Sequence, residues 1–386
     1  MKITEVKPLI SAPPRSFVYA KVTTSNGLIG CGEAETDGVP EVQAATITAL
    51  GKSIIGLDPS DTEFAYQTMM TANFGLPPEQ TMRVVGAIDE ALLDIKGKAL
   101  QTPVYNLLGG KFREKIRIYC HLIGPQNTPE RVAEAAKEQV KHGFTVLKFD
   151  PFTTIYWDEV DDPQISAYGG VKSRLQQGMS YPRKLVPKAI ELVKAVREAV
   201  GPDIGICTDI HGRFDVESAI RIGRLLEPYD LFFYEEPIPP GNDEALAYVR
   251  RRVNIPICCG ERRYTLEDFR RLFELQATDI LMPDHARNGG ITMVRKIADL
   301  ANIYHVPLAP HVVYSSPLNA VVTAHTCASI PNFLISESMG PQRLQLYSDL
   351  LKPPILPEGG YLRVPDRPGL GVELNEENLS KQYPPI

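Results

Sequence analysis

Three acidic residues recur at one spacing along this chain, each at the end of a strand-like apolar run. Asp209 ends IGICTD, Glu235 ends LFFYE and Glu261 ends IPICCGE, so 26 residues separate each acid from the next. One βα unit of a parallel barrel takes roughly 30 residues. The spacing therefore predicts three consecutive strands whose carboxyl ends converge. Three hard carboxylates in that arrangement suit Mg²⁺, which prefers oxygen ligands.

The second half of the chain carries the alternation that such a barrel needs. From about Lys115, short apolar runs alternate with amphipathic helical patterns. Alternating β and α segments with nearly continuous apolar strands indicate a parallel sheet covered by helices. An open doubly wound sheet is the alternative, but it normally carries a glycine-rich phosphate loop that this sequence lacks. Eight runs favour a closed barrel: IRIYCH, VLKFD, IGICTD, LFFYEE, IPICCGE, ILMPD, VPLAPH and FLISES.

The first part of the chain is predicted to form a separate α+β domain. MKITEVKPLI and SFVYAKVTTSNGLIGCGEA are typical of strands, and the Asn-Gly pair in the second predicts a hairpin. Helical patterns come next, including TMRVVGAIDEALLDIKGKAL. The Pro/Gly-rich C-terminal segment is expected to return to this domain. We predict an α+β domain over residues 1–115 with the tail 355–386, and a barrel over residues 116–354.

Composition excludes several classes of partner. The net charge is −6 and the basic residues form no long stripe, so a nucleic-acid partner is not expected. No apolar run approaches the roughly 18 residues of a membrane span, and the first residues lack a signal-peptide pattern. The six cysteines form no CxxC pair and lie mostly in apolar runs. We therefore expect buried thiols and a cytoplasmic location.

A second repeat of the spacing places an acid beside a histidine. Asp284 ends the sixth run and His311 ends the seventh, again about one βα unit apart. An Asp beside a His can orient the imidazole and make it a better base. His211 lies two residues after Asp209, so strand alternation directs it to the same side. A metal, a His–Asp pair and a second His suit abstraction of a proton alpha to a carboxylate, followed by protonation of a leaving β-hydroxyl.

Four further residues are candidates for substrate binding. Lys148 and Asp150 share a face of the second run, LKFD. Lys148 is expected to hold a carboxylate, and Asp150 either binds a hydroxyl or orients Lys148. Glu337 in ISES either hydrogen-bonds the substrate or its developing oxyanion, or forms a structural ion pair. Arg213 in DIHGR completes the set.

The motifs together resemble the enolase superfamily, in its mandelate racemase-like branch. The resemblance rests on GAIDEALLDIKGKALQTPVYNLLGG, DIHGR, YEEP, GER, the PD and GGIT pair, and APH. It implies an α/β fold in which a (β/α)₇β TIM-type barrel is joined to an N-terminal α+β capping domain completed by the C-terminal tail. It also implies Mg²⁺ on Asp209, Glu235 and Glu261 and a dyad of Asp284 and His311. DIHGR is similar to the motif of the galactonate dehydratase group, in which the His matching His211 is the general acid.

The first functional hypothesis is therefore an acid-sugar dehydratase. It would convert an aldonate or aldarate to the 2-keto-3-deoxy acid, with D-galactonate first and D-gluconate, D-mannonate and galactarate open. His311 would remove the C2 proton, or His211 would do so for the opposite C2 configuration. The specificity surface is expected around Pro13–Phe17, Ala72–Pro78 and the long segment after Asp150.

Two other classes stay open. A racemase, epimerase or lactone cycloisomerase would share the enediolate step, although Asp150 stands where a racemase of this branch has the second lysine of a KxK motif. A relative without turnover is the third hypothesis. We expect a homo-oligomer, because barrels of this type often assemble.

Overall fold

The computed structural model describes the chain in nine stretches: 1–12, 16–36, 39–72, 75–122, 126–152, 178, 180–312, 315–338 and 340–382. The chain divides into two compact units. The first is Met1–Arg117 with Gly260–Phe269 and Met282–Ile386, and the second is Ile118–Cys259 with Arg270–Leu281. The predicted domain boundary at residue 115 stays a prediction.

Four of the described helices begin at a residue whose side chain caps the first turn. Thr128, Asp215, Asn242 and Ser316 each accept a backbone N–H of the following helix through the side chain, which satisfies one of the unpaired donors of a first turn. The described helices are α1 (Pro40–Gly51), α2 (Thr62–Thr71), α3 (Pro78–Ala99), α4 (Val104–Leu107), α5 (Pro129–Lys141), α6 (Val186–Val200), α7 (Val216–Leu226), α8 (Asp243–Arg250), α9 (Leu266–Glu274), α10 (Gly290–Ile303), α11 (Pro317–Ser329) and α12 (Pro341–Leu346).

The first unit begins with a three-stranded antiparallel sheet of β1 (Ile3–Ile10), β2 (Val18–Thr24) and β3 (Ile29–Ala34), in that order. Gly27 takes the positive φ of 81° that the turn between β2 and β3 requires. The hairpin predicted from the Asn-Gly pair is confirmed.

Strand β3 lies so close to helix α3 that two of its positions admit only glycine. A Cβ on Gly30 would stand 2.1 Å from the carbonyl oxygen of Ala91, and one on Gly32 would stand 2.1 Å from that of Ala87. The close approach buries α3 on most of its sides, so this helix is more enclosed than an amphipathic pattern indicates.

The second unit is built on parallel strands: the end of β4 (Lys115–His121), then β5 (Val146–Phe149), β6 (Gly205–Asp209), β7 (Phe233–Glu235), β8 (Ile257–Cys259) and β9 (Ile280–Leu281). Each strand pairs in parallel with the next. The register sets Asp209 directly opposite Glu235. The βα alternation predicted for this part of the chain is confirmed.

The seventh apolar run, VPLAPH, is extended but forms only a single parallel bridge, between Leu308 and Phe333. Pro307 and Pro310 flank the bridge and have no N–H to donate, so a continuous ladder cannot form. The eighth run gives β10 (Ser336–Ser338).

The C-terminal tail packs on the N-terminal part of the first unit, as predicted. Its strands are β11 (Leu351–Lys352), β12 (Tyr361–Arg363) and β13 (Glu373–Leu374). The backbone N–H of Leu370 donates to Asp94 Oδ1 at 2.8 Å, and Lys21 forms an ion pair with Glu376 at 2.5 Å. Leu370 and Leu379 join Tyr19 in one apolar core.

All six cysteines are buried thiols, as the sequence predicts. No helix within the described stretches is long and apolar enough to cross a bilayer.

Asp89 on α3 generates a prediction about stability. Its side chain is buried and accepts two hydrogen bonds from Thr292, at 2.9 Å from the backbone N–H and 2.5 Å from the hydroxyl. Burial raises the pKa of Asp89 from 3.8 to about 7, against those hydrogen bonds, which lower it. Between these two values the unfolded chain has released a proton that the folded chain still holds.

We therefore expect the free energy of unfolding to fall as pH rises from about 4 to about 7, by up to about 1.4 kcal/mol per pH unit from this group. Urea unfolding of wild type and Asp89→Asn at pH 5 and pH 8 measures this slope. The variant should show a smaller loss between the two pH values, while Asp203→Asn at an exposed position should match wild type. Equal slopes for wild type and Asp89→Asn would refute the assignment.

Candidate active site

Lys148 lies between two of the predicted metal ligands in the second unit. Its ammonium is fully buried, 2.8 Å from Glu235 Oε2 and 3.2 Å from Asp209 Oδ2. The paired ends of β6 and β7 hold these two carboxylates side by side. Two buried carboxylates would repel each other strongly in this setting, and the lysine offsets part of that cost.

Asp150, immediately after β5, contacts His211 and Arg213. Its Oδ2 lies 3.1 Å from Nδ1 of His211, and the two ends of the Arg213 guanidinium reach its Oδ1 and Oδ2 at 3.2 Å and 3.1 Å. The structure thus joins three predicted residues. The two roles considered for Asp150, binding a hydroxyl and orienting Lys148, stay predictions.

The backbone is strained just after the ends of β6 and β7. His211 has a φ of 52° and Glu236 a φ of 38°, both in the left-handed region that residues with a Cβ rarely adopt. The N–H of Gly212 donates to the carbonyl of Glu236 at 2.7 Å, which ties the two strained turns together. Such outliers persist only where the surroundings hold them, and they cluster at functional sites.

The first unit holds the other four predicted residues. The buried imidazole of His311 contacts the other three, which are Asp284, Glu261 and Glu337. Nδ1 of His311 lies 2.5 Å from Asp284 Oδ2, and its Nε2 lies 2.7 Å from Glu261 Oε2 and 3.5 Å from Glu337 Oε2. Asp284 is fixed in turn by the side-chain amide of Asn319, which donates to Oδ1 at 3.1 Å.

Backbone hydrogen bonds set three of these residues side by side. The N–H of His311 donates to the carbonyl of Pro283, next to Asp284, and the N–H of Glu337 donates to the carbonyl of Pro310. Glu337 Oε2 also accepts the N–H of Val312 at 3.0 Å. The seventh run therefore places its histidine correctly although it lacks a full ladder.

Electrostatics favour a charged pair of His311 and Glu261. Burial alone would lower the pKa of His311, but the carboxylates of Glu261, Glu337 and Asp284 together raise it well above 6.5. Burial alone would raise the pKa of Glu261, but His311 and Arg287 hold it well below its ordinary value.

An arginine network beside Glu261 was not predicted. Arg287 reaches Glu261 at 3.6 Å and Glu35 at 3.5 Å, and Arg83 reaches Glu35 at 2.8 Å. All four side chains are buried. Arg287 belongs to the motif DHARNGG, in which only Asp284 was predicted to be a site residue. No periodicity marks an arginine that pairs with a residue 252 positions earlier.

His285, the neighbour of the dyad aspartate, is a packed core residue. Its ring is fully buried, its Nδ1 lies 3.1 Å from the Thr323 hydroxyl, and burial lowers its pKa to about 4.

The described residues contain no group of three or more His, Cys, Asp and Glu side chains already arranged to hold a metal ion. Basic side chains pair with the predicted ligands. Lys148 pairs with Asp209 and Glu235, and both His311 and Arg287 pair with Glu261. The donor chemistry nevertheless fits Mg²⁺, because all three predicted ligands are buried carboxylates.

Part of the predicted specificity surface lies outside the described residues. This applies to 13–15, 73–74 and 153–177 with 179, from the three segments named for that role.

Two family descriptions match most of the chain. "Mandelate racemase / muconate lactonizing enzyme, N-terminal domain" matches residues 9–109, and "Enolase C-terminal domain-like" matches residues 131–378.

Relatives along the full length carry dehydratase names. A D-xylonate dehydratase of Haloferax volcanii is 33% identical over 378 residues, covering 97% of this chain and 87% of the relative. A D-galactonate dehydratase of Ralstonia pickettii is 33% identical over 385 residues, covering 97% of this chain and 93% of the relative.

Solved structures agree with the fold. A member of the enolase superfamily from Salmonella Typhimurium superposes with a TM-score of 0.88 at 32% identity, covering 99% of this chain and 98% of that one. A mandelate racemase/muconate lactonizing enzyme from Jannaschia sp. CCS1 gives 0.87 at 30% identity, covering 98% and 97%. The predicted fold class, a TIM-type barrel with an N-terminal α+β capping domain, is confirmed.

The pair formed by His311 and Glu261 yields a testable pKa. In chelator-treated protein, the His311 ring should remain protonated well above pH 6.5, because the surrounding carboxylates stabilise the imidazolium. Glu261→Gln removes one of those charges and should lower the pKa. An NMR titration of the His311 ring protons, assigned with His311→Asn, measures both. A His311 that loses its proton near pH 6 in wild type would contradict the charged pair.

Proposed function

Since the chain belongs to the mandelate racemase/muconate lactonizing enzyme family of the enolase superfamily, we propose that it is a hydro-lyase that dehydrates acid sugars. It would remove the C2 proton of an aldonate or aldarate and expel the C3 hydroxyl, leaving a 2-keto-3-deoxy acid. Full-length relatives named for dehydration of D-xylonate and D-galactonate support this reaction class. D-galactonate is our first substrate, with D-xylonate, D-gluconate, D-mannonate and galactarate to be tested beside it.

The observation that carries the proposal is the buried hydrogen bond between His311 and Asp284 at 2.5 Å. A carboxylate only accepts, so the shared proton belongs to Nδ1 of the imidazole and Nε2 is the atom that exchanges a proton. The carboxylate also stabilises the imidazolium once the proton has been taken. We assign removal of the C2 proton to Nε2 of His311 and protonation of the leaving C3 hydroxyl to His211. A substrate of opposite C2 configuration would exchange the two roles.

We propose that Mg²⁺ is the cofactor and that Asp209, Glu235 and Glu261 hold it. The position of Lys148 supports the first two, because one ammonium within 3.2 Å of both carboxylates means that both offer oxygens to a shared cation. Glu261 comes shortly after β8, the strand that pairs with β7. When bound, the ion would neutralise charge that develops on the substrate carboxylate.

Lys148 and Glu337 are our candidates for substrate contacts. The ammonium of Lys148 is buried beside the proposed ligands and suits a carboxylate of the substrate. Glu337 lies 3.5 Å from Nε2 of His311, the atom assigned to the C2 proton. It also accepts the backbone N–H of Val312, and this hydrogen bond does not exclude a substrate contact.

The substrate is thus a small acid sugar, and we propose neither a nucleic-acid nor a membrane partner. A cytoplasmic location is supported by six buried thiols, which suit a reducing compartment. The homo-oligomer expected from the sequence remains a prediction that light scattering would check.

The family description also covers racemases and lactonizing enzymes, so the product must discriminate. Incubation with Mg²⁺ and the acid-sugar panel should give a 2-keto product that reacts with semicarbazide. Racemised or ring-opened product without a 2-keto acid would show that the protein catalyses isomerisation and not dehydration. Absence of any turnover while Mg²⁺ still binds would favour a non-catalytic relative.

The ligand set predicts the effect of three substitutions. Asp209→Asn, Glu235→Gln and Glu261→Gln should each reduce dehydration to background, since each removes a charged oxygen ligand. Calorimetry should show Mg²⁺ affinity lowered by at least about 10-fold. Glu236→Gln, next to a proposed ligand but outside the set, should keep its Mg²⁺ affinity. Near wild-type rates in any of the three variants would remove that residue from the set.

Substitution of each histidine is predicted to affect one of two half-reactions, exchange of the C2 proton or elimination of the C3 hydroxyl. In D₂O, His311→Asn should stop exchange of the substrate C2 proton, with a loss of roughly 10²–10⁴-fold. His211→Asn should keep that exchange and lose elimination. NMR of the substrate monitors exchange, and semicarbazide monitors elimination. A His211→Asn enzyme that still eliminates normally would clear His211 of the acid role.

A further inference from the structure

The carboxylate of Asp150 is surrounded by protein donors. Oδ1 accepts the backbone N–H of Phe152 at 3.1 Å and one end of the Arg213 guanidinium at 3.2 Å. Oδ2 accepts the other end of Arg213 and the His211 ring, each at 3.1 Å. An ionised carboxylate has about four acceptor positions. These four donors fill them, which leaves none for a substrate hydroxyl.

Arg213 is fixed well enough to act as a clamp. It is 1% exposed and binds Asp150 through both ends of its planar fork, a geometry that adds direction as well as strength. Next to it, the ring of Phe214 packs edge-on against Phe152 at 5.1 Å, and the Tyr181 hydroxyl donates to the Phe152 carbonyl at 2.9 Å. The loop that carries Asp150 is therefore held at both its side chain and its backbone.

His211 is presented differently from its partners. Its side chain is 43% exposed, against 15% for Asp150 and 1% for Arg213. Its backbone is held at φ 52°, and its N–H donates to Asp209 Oδ1 at 3.1 Å. Because the carboxylate of Asp150 can only accept, the 3.1 Å contact requires the proton on Nδ1 of His211. Proton exchange with a ligand is then left to Nε2.

We propose that Asp150 and Arg213 are positioning residues for His211, not substrate ligands: Arg213 locks the Asp150 carboxylate, and Asp150 keeps a proton on Nδ1 of His211. This inference rests on the proposed dehydration for its chemical consequence. In that step the His211 ring acts as an imidazolium: the C3–O bond breaks, the oxygen takes the Nε2 proton and leaves as water, and the ring keeps the Nδ1 proton that it donates to Asp150. The electrons of the enediolate form the C2=C3 bond, and the resulting enol becomes the 2-keto acid.

The amide variant makes a sharp test, because Arg213 has only donors. In Asp150→Asn, Arg213 should keep the single amide oxygen, so the amide NH₂ faces His211 and donates to Nδ1. The other carboxylate oxygen near Nδ1, Oδ1 of Asp209 at 3.4 Å, belongs to a proposed Mg²⁺ ligand. In the Mg²⁺-loaded variant the His211 ring should therefore carry its proton on Nε2. A carboxylate-to-amide exchange beside a catalytic histidine produces this tautomer change in serine proteases.

The first measurement reads the ring without substrate. Two-bond ¹H–¹⁵N NMR of ¹⁵N-histidine-labelled, Mg²⁺-loaded full chain, assigned with His211→Asn, distinguishes the ring nitrogens. For the neutral ring, the form left after the proton transfer, we expect Nδ1–H in wild type and Nε2–H in Asp150→Asn. Arg213→Lys, which keeps the charge but not the fork, should give a mixture and serves if Asp150→Asn does not fold. The same tautomer in wild type and in the folded variants would overturn the proposal.

The second measurement separates positioning from substrate binding. Asp150→Asn should lower elimination by roughly 10²–10⁴-fold, keep C2 exchange in D₂O, and leave KM within a few-fold of wild type. Asp215→Asn is the matched control, since Asp215 caps α7 nearby by accepting the N–H of Ser218 at 2.6 Å; it should change neither tautomer nor partition between exchange and elimination.

A raised KM with unchanged kcat in Asp150→Asn would make Asp150 a substrate ligand and overturn the proposal. Failure of the proposed function looks different, because wild type itself would then dehydrate none of the acid sugars. The tautomer measurement would still decide the positioning role in that case.

Discussion

This structure depends on one constraint: the negative charge of each buried carboxylate has to be offset by a positively charged side chain. Removing a charge from water costs several kcal/mol unless a partner and hydrogen bonds offset it. In the second unit Lys148 serves Asp209 and Glu235, and Arg213 serves Asp150. In the first unit the equivalent tasks fall to His311, Arg287 and Arg83, which pair with Glu261, Asp284 and Glu35. Each of these acids is thus held by a basic side chain in a fixed position.

Contacts between neighbouring strand ends could be predicted from the sequence, because strand order determines them. A spacing of one βα unit places successive strand ends next to each other, and the register does set Asp209 opposite Glu235. The same spacing predicted a pair of Asp284 and His311, and the two side chains are hydrogen-bonded. The family resemblance added the capping domain, which the solved relatives confirm. The metal-ligand set remains a prediction, since it depends on an ion as well as on side chains.

The contacts that were missed are those between distant chain segments. Nothing in LKFD and DIHGR signals that Arg213 faces Asp150 and that Lys148 faces the two acids, because alternation gives a side of a strand and no partner. Helix α3 shows a related limit. Its apolar periodicity indicates one buried face, yet Asp89 and Glu90 are buried as well. The glycines of β3 let the helix approach closely, which encloses Glu90, and the start of α10 encloses Asp89 through Gly290 and Thr292. Neither contact is visible in the periodicity.

The lysine shared by Asp209 and Glu235 has a consequence for the order of events in the life of the protein. Where a metal is the only counterion for its ligands, the chain cannot fold until the metal arrives, as in small zinc domains. A built-in ammonium removes that dependence. With Mg²⁺ as the proposed cofactor, this predicts a two-stage maturation: the polypeptide would reach its native state first and bind the ion later.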